Sequence, residues 1–432
     1  MKRKYIALIL ALPAVFASCA VQQESLGADA GSDVDDPRAD VGMDAGPTAE
    51  PNTAVRYPNG TTQSPITPYV AGQLRAIAAN GTADSQAVAK VGDSITVSNQ
   101  FFHCFENDSD SVSSEIDQTI AHFGGFDRTS LAAGVGWSSN MTLSGSPSPL
   151  QRELAAINPS VAVVMYGTND AEGGNLDAYG GNLLSIVDLL IERGVVPIVS
   201  TIPPRDYNAN DVRVPFYNAM ARAVAQARQV PLVDLHRELL SLPGYGLSGD
   251  GLHPRGTGGG CDFSASGMQA GYNVRNRVTI EALDRVRRVL DGSVDYFDET
   301  APAWEGEGTR AAPYRIPLAS LPITHAADTR LSNERNHDSY SCGSSNEGGS
   351  EVWYQLNVAQ AQTLRITVAD RGDVDVDVHL LSGSSEASAC VDRDDRTLDL
   401  LVPAGEHFLV VDTYISGGVE KSGEFLLTIA AP

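Results

Sequence analysis

Short apolar runs alternate with amphipathic segments along the middle of the chain, from residue 63 to residue 292. The run Val161–Met165 is continuously apolar, as in a strand that is buried on both faces. In residues 176–192 the apolar positions recur every three or four residues and so fall on one helical face. The predicted strands are 87–91, 161–165, 195–200 and 231–234, and the predicted helices are 149–157, 176–192, 215–228 and 268–290. This alternation predicts an α/β domain with a parallel sheet and helices on both of its faces.

The pattern changes after residue 310. Residues 311–432 contain short runs rich in β-branched and aromatic residues, each bounded by turn residues. These runs are 352–356, 364–368, 374–378, 398–402, 407–411 and 425–429. Short strands at this spacing predict a C-terminal all-β sandwich. Residues 293–310 are acidic, contain Pro302 and several glycines, and are predicted to link the two domains.

Residues 1–18 have the pattern of a signal peptide. Lys2-Arg3-Lys4 precedes an apolar run from Tyr5 to Ala17 that is too short to span a bilayer. The four residues that end at Cys19 resemble a lipobox, although Phe16 stands where Leu, Val or Ile is usual. They predict export of the protein and lipid attachment at Cys19. The alternative is ordinary cleavage after Ala17, which would release a secreted protein.

Residues 19–62 are rich in Asp, Ala, Gly and Pro and contain few aromatic or β-branched residues. Such a segment cannot bury enough apolar surface to fold. We therefore expect a disordered, acidic tether between the membrane and the folded domains. Ala20, rather than Asp, follows Cys19, and this favours the outer membrane or the cell surface by the rule known for bacterial lipoproteins.

Charge and cysteine content narrow the classes of partner. The 432-residue chain has a net charge of −24, which repels phosphate backbones and argues against nucleic-acid partners. An exported protein rarely keeps an odd thiol, and this chain has five cysteines. If Cys19 carries lipid, four remain, with one pair in each predicted domain. No Cys-x-x-Cys spacing occurs, so a zinc site is not expected.

Two motifs supply a nucleophile and an acid–histidine pair. Ser94 follows a predicted strand in a Gly-Asp-Ser turn that would expose its hydroxyl as a nucleophile; its alternative role is a helix N-cap. Asp250 stands three residues before His253. Its carboxylate would then reach Nδ1 and stabilise the imidazolium that forms when Nε2 takes the serine proton. The alternative is a structural turn built by Asp-Gly and His-Pro.

Two further positions are candidate donors to an oxyanion. Asn169 follows the predicted strand 161–165, and its side-chain amide is a neutral donor; a simple Asn-Asp turn is the alternative. Gly136 would present a backbone N–H, with Gly134 as the alternative, because a glycine lets the substrate approach closely. With a serine nucleophile and an acid–histidine pair, such donors complete the requirements of acyl transfer.

The order and spacing of these motifs resemble the SGNH, or GDSL-like, hydrolase family over residues 63–292. Gly92-Asp93-Ser94 matches the first block of the family, Gly167–Asp170 the third, and Asp250–Pro254 the fifth. Gly136 fits the glycine of the second block. The resemblance implies a three-layer, flavodoxin-like fold and catalysis without a metal or organic cofactor. The absence of a Gly-x-Ser-x-Gly sequence argues against the ordinary α/β-hydrolase arrangement.

The resemblance also assigns roles. It implies that Ser94 is the nucleophile, that His253 is the general base and then the acid, and that Asp250 orients the histidine. The oxyanion hole would comprise the backbone N–H groups of Ser94 and Gly136 and the side-chain amide of Asn169.

Residues 311–432 resemble a bacterial pre-peptidase C-terminal domain. The segments that carry this resemblance are 338–342, 351–354, 373–377 and 405–412. A Cys342–Cys390 disulfide fits it, and the hydrolase resemblance implies a Cys104–Cys261 disulfide between two loops near the active site. The alternating aspartates of 373–377, with Asp392 or Asp394, are candidate calcium ligands, but an exposed strand face has the same alternation.

These observations predict a secreted serine esterase that hydrolyses esters through an acyl-enzyme. The acidic surface and the appended sandwich favour O-acetylated polysaccharide as the substrate. One alternative is a lipase or lysophospholipase that acts on lipid esters. Another is a non-catalytic surface lipoprotein that uses the hydrolase fold as a binding module. We expect a monomer that contacts the membrane through its N-terminal lipid anchor.

Overall fold

The computed structural model describes residues 54–82, 84–106 and 113–431, which belong to one compact unit. The helices of this part are α1 Pro68–Ala79, α2 Ser94–Val97, α3 Ser114–His122, α4 Pro149–Ile157, α5 Asp170–Gly173, α6 Leu176–Glu192, α7 Val214–Ala227, α8 Leu235–Leu240 and α9 Gly271–Leu290. Its strands are β1 Asp84–Gly92, β2 Pro159–Met165, β3 Val196–Ser200, β4 Leu232–Val233, β5 Tyr314–Ile316, β6 Ile323–Asp328, β7 Val352–Val358, β8 Gln362–Ala369, β9 Val376–Ser382, β10 Cys390–Asp394, β11 Thr397–Val402, β12 Gly405–Thr413, β13 Ile415–Ser416, β14 Val419–Glu420 and β15 Glu424–Ala430. No helix in these ranges is long and apolar enough to cross a membrane.

The first four strands form a parallel sheet in the order β1-β2-β3-β4. Val91 pairs with Val164, and Val164 pairs with Val199, within strands that are buried along most of their length. Parallel bridges at Gly124 and Ala133 extend the sheet by one position on the other side of β1. The resulting order corresponds to 2-1-3-4-5, the order of flavodoxin-like folds. The predicted α/β fold is confirmed.

Helices cover both faces of this sheet. Helix α6 packs on α7 and both contact β3, whereas α9 packs on α1, α3 and α8. The helices α4 and α6 have the bounds that the sequence predicts. Ser148 caps α4 by accepting a hydrogen bond from the backbone N–H of Gln151, and Asn158 ends it in the left-handed conformation. Asn175 caps α6 through the backbone N–H of Ala178.

The C-terminal strands form two mostly antiparallel sheets, in the orders β10-β9-β12-β7-β5 and β11-β8-β15-β6. Apolar side chains of both sheets, including Leu356, Ile366, Val378, Leu409 and Leu427, are buried in one core. The predicted β-sandwich is confirmed. The strands β5, β6 and β10 are not predicted by the sequence. Strand β5 has three residues, β10 is largely charged, and the six residues of β6 end in Ala-Ala-Asp, which are uncommon in strands.

The sandwich packs directly on the α/β domain. Strands β6 and β15 lie against α7. Arg228, the residue after α7, pairs with Asp188 of α6 and with Glu424 of β15. The side-chain amide of Gln226 donates a hydrogen bond to the carbonyl oxygen of Thr324 (2.7 Å). The two domains therefore share a joint of partly buried ion pairs and hydrogen bonds.

Two predicted boundaries differ from the structure. The sequence predicts a tether up to residue 62, but Tyr57 is buried, and its hydroxyl donates to Val230 O (2.9 Å) while its backbone N–H donates to Gln226 Oε1 (2.7 Å). Val55 is buried as well, and its backbone N–H and carbonyl oxygen bond to the side-chain amide of Gln229 (2.9 and 3.0 Å), so a few residues anchor this polar segment. In the predicted linker 293–310, Trp304 joins the sandwich core. The signal peptide and Cys19 lie outside the described residues.

Candidate active site

The nucleophile turn, residues 92–97, begins where β1 ends. Ser94 is the first residue of α2, and Asp93 caps this helix by accepting a hydrogen bond from the backbone N–H of Ile95 (2.9 Å). A Cβ atom on Gly92 would lie only 2.3 Å from Thr96 Oγ1, so a larger residue does not fit without a shift. The turn places Ser94 at the carboxyl edge of the sheet, where α/β folds bind their ligands.

The structure brings the predicted serine, histidine and aspartate together. Ser94 Oγ lies 2.9 Å from His253 Nε2, and His253 Nδ1 lies 2.7 Å from Asp250 Oδ2. The other carboxylate oxygen of Asp250 accepts hydrogen bonds from the backbone N–H groups of Leu252 and His253 and from the hydroxyl of Ser248. The fixed carboxylate favours a proton on Nδ1, which leaves Nε2 as an acceptor that faces the serine.

The charge of Asp250 follows from these contacts. Desolvation raises the pKa of Asp250, but the hydrogen bonds from Leu252, His253 and Ser248 outweigh it and hold this pKa well below the ordinary value. The carboxylate is therefore ionised at neutral pH and stabilises the imidazolium. Gly251 permits the turn, because its φ is +68° and a Cβ atom would lie 2.0 Å from the carbonyl oxygen of Asp206.

Asn169 lies beyond the end of β2, at the same edge of the sheet. Its side-chain amide donates one hydrogen bond to Trp137 O (2.9 Å). Because an amide has two N–H donors, this bond orients the group and leaves the second N–H for an oxyanion. The neighbouring carboxylate of Asp170, whose pKa is raised by burial, accepts hydrogen bonds from the backbone N–H (3.0 Å) and hydroxyl (2.6 Å) of Ser139. These contacts tie the Asn169 segment to the loop of residues 134–138.

The two candidate glycines of this loop have different environments. The N–H of Gly134 donates to Gly92 O (3.1 Å), and a Cβ atom on Gly134 would lie 2.2 Å from the indole of Trp137. Gly136 has a φ of +74° and open space around it. Among the described residues, its N–H has no hydrogen-bond partner. The geometry therefore favours Gly136 over Gly134 as the donor to an oxyanion.

Two residues behind the nucleophile turn were not predicted from the sequence. Arg275, fully buried on α9, donates to Ile95 O (2.7 Å) and to Thr96 Oγ1 (2.9 Å). The hydroxyl of Tyr272 also donates to Ile95 O (3.1 Å). One feature of the sequence could have indicated Arg275. It stands three residues before the buried Val278, so it is a charged residue on the buried face of an amphipathic helix.

Asp93 is a second buried charge beside the nucleophile. Burial raises its pKa to about 6, although the hydrogen bond from Ile95 and the positive charge of Arg275 oppose this shift. The carboxylate is therefore largely ionised at neutral pH inside the protein.

Both predicted cysteine pairs form disulfide bonds in the structure. Cys104 is bonded to Cys261, and Cys342 to Cys390. The first bond joins a segment ten residues after Ser94 to one eight residues after His253. The segments that follow the nucleophile and the histidine are thus covalently tied.

One of the candidate calcium ligands has a cationic partner within the protein. Asp377, one of the alternating aspartates, pairs with the guanidinium of Arg393, so a cation of the protein already neutralises this carboxylate. Cys342, Cys390 and His379 place ligand atoms within 4.8 Å of one another, but the two sulfurs are bonded to each other.

The motifs of the active site lie in a part of the chain that matches a known family. Residues 91–259 match the family of GDSL-like lipases and acylhydrolases. The resemblance that the sequence predicts is confirmed for this segment, and with it the class of serine ester hydrolase. The matched range contains Ser94, Gly136, Asn169, Asp250 and His253.

Solved structures with partial similarity include proteins that resemble each domain. A GDSL-like lipase from Bacteroides thetaiotaomicron VPI-5482 is 17% identical with a TM-score of 0.33, and the match covers 50% of this chain and 98% of that chain. A two-domain esterase active on acetylated mannans is 13% identical with a TM-score of 0.34, covering 85% and 96%. The pre-peptidase C-terminal domain of a collagenase from Bacillus anthracis is 18% identical with a TM-score of 0.19, covering 27% and 91%. No curated protein matches the sequence.

Proposed function

We propose that this protein is an exported serine esterase that removes short acyl groups from a polysaccharide. The observation that carries the chemistry is the relay in which His253 lies 2.9 Å from the Ser94 hydroxyl and 2.7 Å from Asp250. Ser94 Oγ attacks the ester carbonyl while Nε2 takes its proton. The N–H groups of Ser94 and Gly136 and the amide of Asn169 receive the negative charge.

The second half of the reaction reuses the same groups. The tetrahedral intermediate collapses when Nε2 protonates the leaving alcohol, and the acyl group remains on Ser94. His253 then takes a proton from water, which attacks the acyl-enzyme, and returns that proton to Ser94 as the acid leaves. Asp250 stays ionised throughout and holds the imidazolium.

The exposure of the relay supports a bulky leaving alcohol. The side chains of His253 and Asp250 are 36% and 50% exposed. A leaving group that His253 protonates lies on this open side, which leaves room for a polymer. O-acetylated polysaccharide is therefore our preferred substrate class. Lipid esters are the second candidate, because Val97 and Val135, close to Ser94 and Gly136 in the chain, are 39% and 75% exposed.

Hydrolysis of p-nitrophenyl acetate and palmitate, together with acetate release from an acetylated xylan or mannan, tests this proposal. We expect the acetate to be the better ester, the polysaccharide to release acetate, and Ser94→Ala to be inactive. A preference for palmitate would instead support the lipid alternative. Equal labelling of wild type and Ser94→Ala by a fluorophosphonate would refute the esterase and leave the non-catalytic binding module.

The export of this enzyme is a separate part of the proposal. Cys19 is proposed to carry lipid and to anchor a monomer at the outer membrane or cell surface through the residues that follow it. Metabolic labelling with a radioactive fatty acid tests this assignment. Label in wild type but not in Cys19→Ala supports it, and unlabelled protein in the culture medium supports free secretion.

A further inference from the structure

Apart from the Asp93 cap, the nucleophile turn has few contacts of its own to stabilise it. Helix α2 has only four residues, and three of them, Ile95, Thr96 and Val97, are β-branched. Such residues are poor helix formers, and a single helical turn is unfavourable without outside contacts. The position of Ser94 at the start of this turn must therefore be set by other parts of the chain.

Helix α9 supplies these contacts from about 180 residues downstream. One nitrogen of the Arg275 guanidinium donates to Ile95 O (2.7 Å), and the other terminal nitrogen donates to Thr96 Oγ1 (2.9 Å). Its carbon Cζ lies 3.6 Å from the centre of the Phe101 ring. The guanidinium thus binds one backbone oxygen and one side-chain oxygen of the turn, and it stacks on Phe101 in the segment that follows.

A fully buried arginine is costly unless its charge is compensated. Burial lowers the pKa of Arg275 to about 10, so the guanidinium remains charged at neutral pH. The favourable charge of Asp93, next to Ser94, opposes that shift. An apolar residue would fill this space without the desolvation cost, but it could not donate a hydrogen bond to Ile95 O or to Thr96 Oγ1. Arginine is the residue whose rigid, planar guanidinium can donate to two acceptors at once.

The geometry points to Arg275 as a positioning residue for the esterase reaction, which holds the nucleophile turn so that Ser94 Oγ faces His253 and the Ser94 N–H faces the oxyanion. It acts through Ile95 and Thr96 and does not touch the substrate. This role rests on the proposed function, because it concerns the reactivity of Ser94.

The test is Arg275→Lys in the full chain, measured as kcat and KM for p-nitrophenyl acetate. A lysine keeps the charge but has no planar fork, so the two bonds to the turn are not made together. Displacement of a reacting group by about 1 Å costs on the order of 100-fold in rate. We expect kcat per active site to fall about 100-fold while KM changes less than about threefold. Active sites are counted by fluorophosphonate labelling at completion, so that misfolded protein does not count.

Arg285→Lys is the matched control. Arg285 lies on the same helix, donates to Ser64 O (2.9 Å), and stacks on Phe297 with its Cζ 4.9 Å from the ring centre. This variant should lose thermal stability like Arg275→Lys but keep its kcat per labelled site. Equal kcat per site in wild type and Arg275→Lys would overturn the inference.

A second variant decides the question if Arg275→Lys does not fold. Tyr272→Phe removes only the hydroxyl that shares Ile95 O with Arg275. We expect a decrease in kcat per site of about three- to tenfold, the effect of one weakened hydrogen bond of about 1 kcal/mol. An unchanged kcat would show that restraint of this carbonyl does not matter. Activity of wild type and its loss in Ser94→Ala establish separately that the esterase function holds.

Discussion

Asn169→Ala tests the oxyanion hole by removing one donor. The amide of Asn169 is oriented by its bond to Trp137 O (2.9 Å), so its second N–H is fixed before the substrate arrives. Loss of one such preorganised donor costs about 100- to 1000-fold in kcat, or about 3–4 kcal/mol of transition-state stabilisation. The ground-state carbonyl gains little from the same donor. We therefore expect kcat and kcat/KM to fall together, with KM nearly constant.

The assay is steady-state hydrolysis of p-nitrophenyl acetate, with thermal unfolding measured on the same preparations. The lost bond to Trp137 O is expected to lower the free energy of unfolding by about 1 kcal/mol. Asn175→Ala is the control, because Asn175 caps α6 only six residues farther along the chain. Removal of that cap costs a similar amount, about 1 kcal/mol, and should leave kcat unchanged.

The reasoning fails if Asn169→Ala keeps clearly more than about 1% of the wild-type kcat, since loss of a preorganised donor costs at least about 100-fold. It also fails if KM rises in place of a fall in kcat. That result would mean that the amide binds the substrate and its transition state equally well.

Three further predictions address other parts of the site. Asp250→Asn, with the geometry otherwise intact, should lower kcat about 10⁴-fold in the same assay by favouring the wrong histidine tautomer; wild-type-like kcat would contradict the relay. Gly134→Ala should destabilise the protein, because its Cβ would lie 2.2 Å from the Trp137 indole, and should reduce labelling of Ser94 by a fluorophosphonate; unchanged stability would contradict this close packing. Asp93 has a pKa of about 6 in the folded state, against an ordinary value of 3.8 for an aspartate in the unfolded chain. Its contribution to the free energy of unfolding is therefore complete below pH 3.8, and about 3 kcal/mol of it is lost as the pH rises through 6. In urea unfolding, the free energy of unfolding of Asp93→Asn should therefore decrease less over this pH range than that of wild type.

The sequence predicts the reacting residues of this protein better than it predicts the residues that hold them in position. Ser94 and Asn169 follow predicted strands, and Asp250 and His253 stand three residues apart in a turn, so position or spacing identifies each of them. Helices with a regular apolar face, such as α6, are predicted with correct bounds because the period of the pattern determines them.

Long-range contacts escape this kind of prediction. Arg275 lies 180 residues from Ile95, and nothing in its own helix shows which backbone carbonyl it meets. Tyr57 lies in a segment whose average composition is that of a disordered chain, but its ring is buried and it donates hydrogen bonds to Val230 O and Gln226 Oε1. The strand β10 pairs with β9 although its own sequence is mostly charged, because tertiary pairing overrides local preference.

The glycines of the motifs explain how a site built from distant segments keeps its geometry. A Cβ atom on Gly92 would lie 2.3 Å from Thr96 Oγ1, and one on Gly251 would lie 2.0 Å from the carbonyl oxygen of Asp206. Each glycine stands within two residues of a reacting side chain, Ser94 or His253. Backbone that is packed this closely has little freedom to move. The motif glycines therefore allow the close packing in which Arg275 can hold the turn of Ser94 near His253, although they carry no reactive group.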